Sequence, residues 1–393
     1  MVRLLSDLQQ AWAEGGWAVL AGPGETPPAL PDPRVLPPGP GVILGSGGSS
    51  GGRRWCLQPL AHLQASARAT GLWLQRIGLE PAQCLHLNPL PLHHVSGLLP
   101  RVRAEVWGCG HLAIDPALMR DPAALAAAVP LPEGCTGLIS LVPTQLRRLL
   151  AAAAGVRWLR QLTVIWVGGA ALSQDLAAEA RALDLPLAPC YGATETAAMV
   201  TALGPAAFLA GAAGCGQPLA DVELRLDSAT GAVELRAARL SPGFLKAGAV
   251  VPLPCTADGW WRSGDGGLLT SEGLVVLGRL DGALHSGGET VFPEVLEQRL
   301  LAAAQVAGLP LEAVLLLAED DPEWGQRLVG LVRPPAAVGA AAPLLEVLAT
   351  LTRAWPPAER PRRWVLCPEL ACSAHGKWQR GHWRRWLASL EAG

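Results

Sequence analysis

Residues 190–196, Cys-Tyr-Gly-Ala-Thr-Glu-Thr, place two hydroxyls and one carboxylate beside the only tyrosine of this 393-residue chain. The sequence predicts a short apolar strand over residues 185–190 and a buried apolar stretch over residues 197–203. A carboxylate in such surroundings is costly unless a metal ion or a cation balances its charge. Ligands of open α/β sheets bind beyond the carboxyl ends of strands, which makes Glu195 a candidate ligand-binding group. The alternative is a polar turn in which Thr and Glu cap a helix.

A second polar segment, residues 46–54, follows a predicted strand at residues 42–44 and reads Ser-Gly-Gly-Ser-Ser-Gly-Gly-Arg-Arg. Glycines permit close backbone approach, and successive amides form an anion-binding concavity. Arg53 and Arg54 stand where a Walker loop has Lys and Ser/Thr, which disfavours a P-loop NTPase. The segment is therefore a candidate phosphate cradle, with a flexible linker as the alternative. Its candidate contacts are Ser46, Gly47, Gly48, Ser49, Ser50, Gly51 and Arg54.

His93 and His94 lie in an apolar strand-and-turn pattern over residues 85–98, which is typical of satisfied core histidines. Metal binding is disfavoured there, because no carboxylate or third ligand is near in sequence. Asp265 stands between glycines in residues 263–267. It is either a turn residue or a carboxylate able to accept hydrogen bonds from two ribose hydroxyls.

The elements that must position these groups alternate between strands and helices, which predicts an α/β fold with a doubly wound parallel sheet. After Tyr191 the pattern changes to antiparallel hairpins over residues 222–235 and 268–277. A helix beginning at Pro293 opens a further unit with strands of its own. The predicted domains are residues 1–280 and 281–393.

The composition limits the possible partners. A net charge of −2 without a basic block argues against nucleic acid, and no apolar run has the length of a membrane span. The nine scattered cysteines favour a reducing cytoplasm and support neither zinc nor a disulfide framework. Lys246 and Lys377 are the only lysines in an arginine-rich chain, which marks them as positions where the chemistry could require lysine.

Taken together, these segments resemble the adenylate-forming superfamily of acyl-CoA synthetases, adenylation domains and luciferases. The order of the segments carries the resemblance, which spans nearly the whole chain. It departs from the family pattern in Arg54 for lysine, in Thr290 for asparagine and in Trp378 after the lysine. The matching segments are residues 46–54, 168–171, 191–196, 263–265, 278–281, 286–290 and 376–377.

The resemblance implies a large N-terminal domain of doubly wound mixed sheets with a distorted β-barrel part. A small mobile α+β C-terminal domain would follow, with its hinge at Asp281. ATP, Mg²⁺ and coenzyme A are the implied ligands, together with a small carboxylic acid, and a homodimer is compatible with the family. Glu195 would bind the magnesium ion, and Thr194 would contact the α-phosphate. The implied nucleotide contacts are Gly169, Ala170, Tyr191, Gly192, Asp265 and Arg279.

Two orientations of the small domain would run two half-reactions in such an enzyme. In the first, Lys377 would bridge the substrate carboxylate and the α-phosphate, as a point charge that an arginine fork replaces poorly. In the second, Gly287 and Gly288 would line a tunnel for the CoA thiol, with His94 as a gate.

Residues 91–97 and 140–145 most resemble the o-succinylbenzoate–CoA ligases of menaquinone and phylloquinone synthesis. The second carboxylate of that acid predicts cationic or hydroxyl partners in the substrate pocket. Another aryl- or acyl-CoA ligase, a domain loading a carrier protein and a non-catalytic nucleotide-binding protein are the alternatives. The candidate acid-binding residues are Ser96, Ser140, Thr144 and Arg147.

Overall fold

The computed structural model describes residues 2–47, 53–335, 342–372 and 378–391. Two compact units divide the chain. The larger comprises residues 1–172, 176–263 and 267–276, and the smaller comprises residues 173–175, 264–266 and 277–393. The last change from the larger to the smaller unit falls after residue 276. The domain boundary between residues 280 and 281, which comes from the sequence, stays a prediction.

The chain up to residue 279 forms helices and strands in alternation and then strands alone. Its helices are α1 Val2–Ala13, α2 Leu60–Arg76, α3 Val95–Trp107, α4 Pro122–Ala128, α5 Pro143–Leu150, α6 Ala153–Leu159, α7 Gln174–Ala182 and α8 Pro205–Leu209. Its strands are β1 Trp17–Leu20, β2 Gly41–Gly47, β3 Arg53–Pro59, β4 Cys84–Asn88, β5 Gly110–Ala113, β6 Thr136–Leu141, β7 Val164–Val167, β8 Leu187–Ala193, β9 Ala198–Ala202, β10 Gln217–Pro218, β11 Glu223–Leu226, β12 Ala232–Arg236, β13 Gly243–Lys246, β14 Ala249–Pro252, β15 Trp261–Thr270 and β16 Gly273–Arg279.

A seven-stranded sheet with the order β10-β9-β8-β7-β6-β4-β5 organises the larger unit. Strands β4 to β8 pair in parallel, and β9 and β10 add antiparallel pairs at one edge. Ile139 and Ile165 face a core formed with α5, α6 and α7. Leu138 and Val164 face the opposite core, to which α2 contributes Trp73. Because both faces are covered, the strands read as continuous apolar runs, and the predicted doubly wound sheet is confirmed.

Two smaller sheets complete the larger part, with the orders β1-β2-β3-β13-β14 and β11-β12-β15-β16. The sequence predicts a helix from about residue 57 to residue 78; the helix begins at Leu60 instead, because Cys56 and Leu57 lie fully buried in strand β3. Sequence reasoning also missed α3, because the helical stripe begins only after the His93-His94 turn. Asp265 lies within β15 rather than in a turn.

The smaller unit is α+β, as predicted. Its strands form a sheet with the order β18-β17-β20-β19, and β21 pairs in parallel with β20. No helix among the described residues combines the length and apolarity needed to cross a membrane. The elements are β17 Leu284–Ser286, β18 Glu289–Val291, α9 Pro293–Val306, β19 Ala313–Asp321, β20 Gly325–Arg333, α10 Ala342–Leu351, β21 Arg363–Leu366 and α11 Arg380–Glu391.

A histidine without polar partners lies inside the larger unit. His86 on β4 is fully buried, and neither ring nitrogen has a hydrogen-bond partner in the described part of the chain. Its ring stacks on Trp107 and Trp166 at centroid distances of 6.0 and 5.7 Å. Burial, Arg103 and His111, in that order of effect, hold the pKa of His86 well below its ordinary value.

We therefore expect the unfolded chain to take up a proton near pH 6.5 that the folded chain rejects. The free energy of unfolding should fall on acidification below that pH, by up to about 1.4 kcal/mol per pH unit from this group. His86→Phe should flatten this acid limb, as measured by urea denaturation between pH 5 and 8. Parallel curves for the variant and the parent protein would contradict a neutral, buried His86.

Candidate active site

The Tyr-Gly-Ala-Thr-Glu-Thr segment begins inside β8 and turns into β9. Gly192 allows β8 to lie close to the start of β9, because a Cβ atom at residue 192 would lie 2.1 Å from the carbonyl oxygen of Ala198. Ala197 and Ala198 adopt φ values of 51° and 74°, which are strained for residues other than glycine. The turn therefore presents Glu195 at the edge of the sheet where β8 ends.

An ion pair joins this turn to the predicted phosphate cradle. Arg54 Nη2 lies 3.2 Å from Glu195 Oε1; the arginine side chain is 51% exposed and the glutamate side chain 6%. Arg54 also stacks over Phe244 at 4.7 Å, and its strand partner is Ser46, whose buried hydroxyl has no hydrogen-bond partner among the described residues. Gly48, Ser49, Ser50 and Gly51 lie outside the described residues. The structure thus brings Ser46, Arg54 and Glu195 together.

The neighbouring arginine has a different partner. Arg53 Nη1 lies 2.6 Å from Glu25 Oε1, and the other carboxylate oxygen of Glu25 accepts the backbone N–H of Gly22 at 2.7 Å. The guanidinium lies directly over Gly45, where any side chain would collide with it. Sequence reasoning missed Glu25, because nothing local to residue 25 signals a partner 28 positions away.

The small residues after β7 lie alongside the tyrosine strand. Val167 pairs with Pro189, so Gly168 and Gly169 continue next to Cys190 and Tyr191. A Cβ atom at Gly168 would be 2.9 Å from Cys190 Sγ, and Gly169 has a φ of 78°. Gly169 and Ala170 are exposed, and Tyr191 is half-buried against the core of the sheet. Gly168, Gly169 and Ala170 therefore put no bulky side chain at this end of the sheet.

The candidate acid-binding residues separate into two groups. Ser140 lies half-buried near the end of β6, whereas Thr144 and Arg147 are exposed on α5. Ser96 is exposed in the first turn of α3, directly after His94. The rings of His93 and His94 contact each other with a centroid distance of 4.4 Å. The roles of Ser96, Ser140, Thr144 and Arg147 in acid binding stay predictions.

Arg103 is a charged residue that sequence reasoning missed. It lies on the buried side of α3, is 3% exposed, and has Cζ 5.2 Å from the Trp166 ring centre. Trp166 pairs in register with Ser140, and Cys190 follows on the same face of the sheet. Burial lowers the pKa of Arg103 to about 10, so it remains cationic at neutral pH. Reading residues 95–107 as a helix would have placed it on the apolar stripe.

No carboxylate pairs with Arg103 among the described residues, and its buried Nε has no hydrogen-bond partner there. An uncompensated buried charge is expensive, and the cation–π contact offsets only part of that cost. The arginine therefore supplies a cation against the sheet face that carries Ser140, at a cost in stability.

The smaller unit carries the other predicted positions. Arg279 at the end of β16 pairs with Asp265 (Nη1–Oδ1, 3.4 Å) and with Asp281 (Nε–Oδ1, 3.2 Å). Gly287 and Gly288 form the turn between β17 and β18 with φ values of 57° and 86°. A Cβ atom at Gly287 would be 2.7 Å from the Trp324 ring.

Lys377 lies outside the described residues, but the helix that follows it is firmly anchored. Arg380 at the start of α11 donates to both oxygens of Glu297 at 2.9 and 3.0 Å and to the carbonyl of Leu316 at 2.7 Å. Glu297 is 5% exposed and also accepts the Leu316 N–H. No group of three or more His, Cys, Asp or Glu side chains suited to a metal ion occurs in the described ranges.

Part of the chain matches a known protein family. Residues 57–236 match the family model "AMP-binding enzyme". The matched segment is therefore similar to the AMP-binding domains of this family, and the resemblance seen in the sequence is confirmed.

Within that class, the similar curated proteins are 2-succinylbenzoate–CoA ligases. That of Enterococcus faecalis is 29% identical over 347 residues, covering 85% of this chain and 67% of the relative. That of Salmonella typhimurium is 32% identical over 282 residues, covering 72% of this chain and 55% of the relative. The matches thus span about half to two-thirds of the relatives' length.

Two solved structures share the fold. The Escherichia coli enzyme MenE, with a bound analogue of OSB-AMS, superposes with a TM-score of 0.64 and 27% identity, covering 88% of this chain and 69% of that one. The Bacillus subtilis o-succinylbenzoate CoA synthetase, in complex with the acyl-adenylate OSB-AMP, gives 0.71 and 21%, covering 87% and 68%. The predicted two-domain adenylate-forming fold is therefore confirmed.

Replacing Arg103 by methionine tests whether its charge is held at a cost. Arg103→Met keeps an unbranched apolar side chain against Trp166 and removes the unpaired charge, so we expect the free energy of unfolding to rise by about 1–4 kcal/mol. Chemical denaturation measures the change. The control is Arg101→Met two positions away on the same helix, where a half-buried arginine pairs with the exposed Glu105 and at most about 1 kcal/mol should be lost. A clear loss of stability in Arg103→Met would show that the folded protein itself satisfies the charge.

Proposed function

We propose that this protein ligates o-succinylbenzoate to coenzyme A through an acyl-adenylate, with release of pyrophosphate and AMP. The observation that carries the choice of acid is Arg103, a buried cation without a carboxylate partner in the described chain. An acid with one carboxylate at the nucleotide and another deeper in the fold would complete this charge. Fatty acids and benzoate offer no such second group.

The chemistry requires charge to be neutralised at the nucleotide. A carboxylate oxygen of the acid attacks the α-phosphorus of ATP, and the bond to the β-phosphate oxygen breaks to release pyrophosphate. Both reactants are anions, so pre-organised cations and N–H donors must oppose their repulsion. Arg54 would contribute its guanidinium to the phosphates, and Lys377 would neutralise the oxygens that meet at the α-phosphorus.

Glu195 suits a magnesium ion held jointly with phosphate oxygens. Mg²⁺ is commonly bound by one or two carboxylates together with phosphate oxygens and water. Glu195 is a single buried carboxylate whose protein partner, Arg54, is half-exposed and can turn towards an anion. When bound there, the ion would neutralise charge on the triphosphate. Thr194 would donate its hydroxyl to the α-phosphate from the same turn.

The remaining nucleotide contacts follow from the residues at the strand ends. Tyr191 would stack on adenine, with Gly169, Ala170 and Gly192 leaving room for the ring. Asp265 would accept hydrogen bonds from the ribose hydroxyls, and Arg279 would hold that carboxylate in place through their ion pair.

In the second half-reaction the CoA thiolate attacks the acyl carbon and AMP leaves with the bonding electron pair. Rotation of residues 281–393 about Asp281 would withdraw Lys377 and bring Gly287 and Gly288 to the thiol tunnel. His94 would gate the passage between carboxylate and thiol. We place this reaction in menaquinone or phylloquinone synthesis in the cytoplasm, and the nine free cysteines support a reducing compartment.

A panel of acids tests the substrate. We expect pyrophosphate release with ATP and Mg²⁺ to be fastest with o-succinylbenzoate and far slower with benzoate or a fatty acid. Arg103→Met should lower kcat/KM for o-succinylbenzoate roughly 100- to 1,000-fold, because a substrate carboxylate would lose its buried partner. Arg101→Met is the control. Faster turnover of a monocarboxylic acid by the parent protein would overturn the proposed function. An unchanged Arg103→Met would remove only the role of that arginine.

The two half-reactions test Lys377. Lys377→Ala should lose roughly 100- to 1,000-fold in acyl-adenylate formation, because a charge that acts in the transition state is removed. Transfer of preformed acyl-adenylate to CoA should stay within a few-fold of the parent rate. Lys246→Ala, at the other lysine, should leave both steps unchanged. Equal losses in both steps of Lys377→Ala would rule out the two-orientation assignment.

A further inference from the structure

A second arginine, Arg239, is buried next to the turn that presents Glu195. It lies between β12 and β13, is 1% exposed, and donates from Nε to Asp221 Oδ2 at 2.6 Å. Its Nη1 also contacts Ser66 Oγ at 3.3 Å. Asp221 neutralises the charge, so the other N–H groups of Arg239 can serve as fixed donors to the backbone.

Those donors hold the strained part of the turn on both sides. Arg239 Nη1 donates to the carbonyl of Thr196, and Nη2 donates to the carbonyl of Met199 at 2.9 Å. Between these two carbonyls lie Ala197 and Ala198, both with positive φ. Each such residue costs on the order of 1–3 kcal/mol and persists only where its surroundings enforce it. Arg239 is a main enforcing group here.

The other carbonyls of the turn are also held by residues from distant parts of the chain. Gln58 Nε2 donates to Thr194 O at 2.6 Å, Ser241 N to Glu195 O at 2.7 Å, and Ser66 Oγ to Ala197 O at 2.6 Å. The backbone on each side of the Glu195 side chain is therefore fixed, and the only charged donor among these groups is Arg239.

We propose that Arg239 is a positioning residue for Glu195, setting the place of its carboxylate for a divalent cation on the bound triphosphate. The inference rests on the proposed adenylation reaction. Small displacements of a ligating group are costly, because a metal-bound phosphate reacts only in a narrow range of geometries. Without Arg239 the turn would relax towards negative φ and move the carboxylate.

The test is Arg239→Met, which fills the same space without donors. We expect the Mg²⁺ concentration for half-maximal pyrophosphate release to rise at least about tenfold and kcat to fall. The KM for the acid and the transfer of preformed acyl-adenylate to CoA should change less than about twofold. Binding of Mn²⁺ with ATP, measured by titration calorimetry in the absence of acid, should weaken in parallel. Arg239→Lys keeps a charge and some donors, so it should recover part of the lost affinity.

Arg236→Met is the matched control, because Arg236 lies three positions away and pairs at the surface with Glu223. It should leave the metal dependence unchanged. Ser66→Ala removes only one donor and should shift the metal dependence in the same direction by less, which keeps the test available if Arg239→Met folds poorly. A uniform loss of active protein, with unchanged Mg²⁺ and Mn²⁺ affinities in both variants, would overturn the proposal. Absence of pyrophosphate release by the parent protein with every acid would instead refute the proposed function.

Discussion

The ion pair between Glu195 and Arg54 is the contact on which the site depends. The Glu195 carboxylate is 6% exposed and therefore carries a large desolvation cost. The guanidinium of Arg54 offsets that cost while remaining half-exposed. Because Arg54 lies on β3 and Glu195 on the turn between β8 and β9, the pair joins the two polar segments with the clearest chemical character. The arrangement keeps a negative charge ready at the edge of the sheet and leaves its cationic partner accessible to an anion.

Other polar groups are also buried inside the larger unit, and they differ in whether the protein supplies their hydrogen-bond partners. Arg239 is fully satisfied by Asp221 and by backbone carbonyls, so it stabilises the turn that it contacts. Arg103 and His86 are buried without such partners in the described chain. Packing against Trp166 contributes dispersion to both and a cation–π attraction to Arg103, but it does not replace hydrogen bonds. A buried group whose partners lie in the protein, such as Arg239, organises the fold. A buried group without such partners, such as Arg103, marks a place where a ligand can complete the interactions.

Much of the architecture was predictable because its signals are local. The doubly wound sheet follows from apolar runs separated by helical stretches, and the hairpin of β11 and β12 follows from strict alternation on either side of a turn. Strand β3 was missed because Arg53 and Arg54 begin it, and two adjacent charges read as loop. Helix α3 was missed because the preceding histidines and prolines read as one extended segment.

The sequence by itself determined the family, the order of the elements and the identity of the polar segments, since these depend on residue type and on spacing over a few positions. Only the tertiary structure decided which charges meet. Arg54 and Glu195 are 141 positions apart, and Arg239 reaches Thr196 across 43. Such pairings depend on strand order and register, which arise from the burial of the whole apolar surface rather than from any single segment.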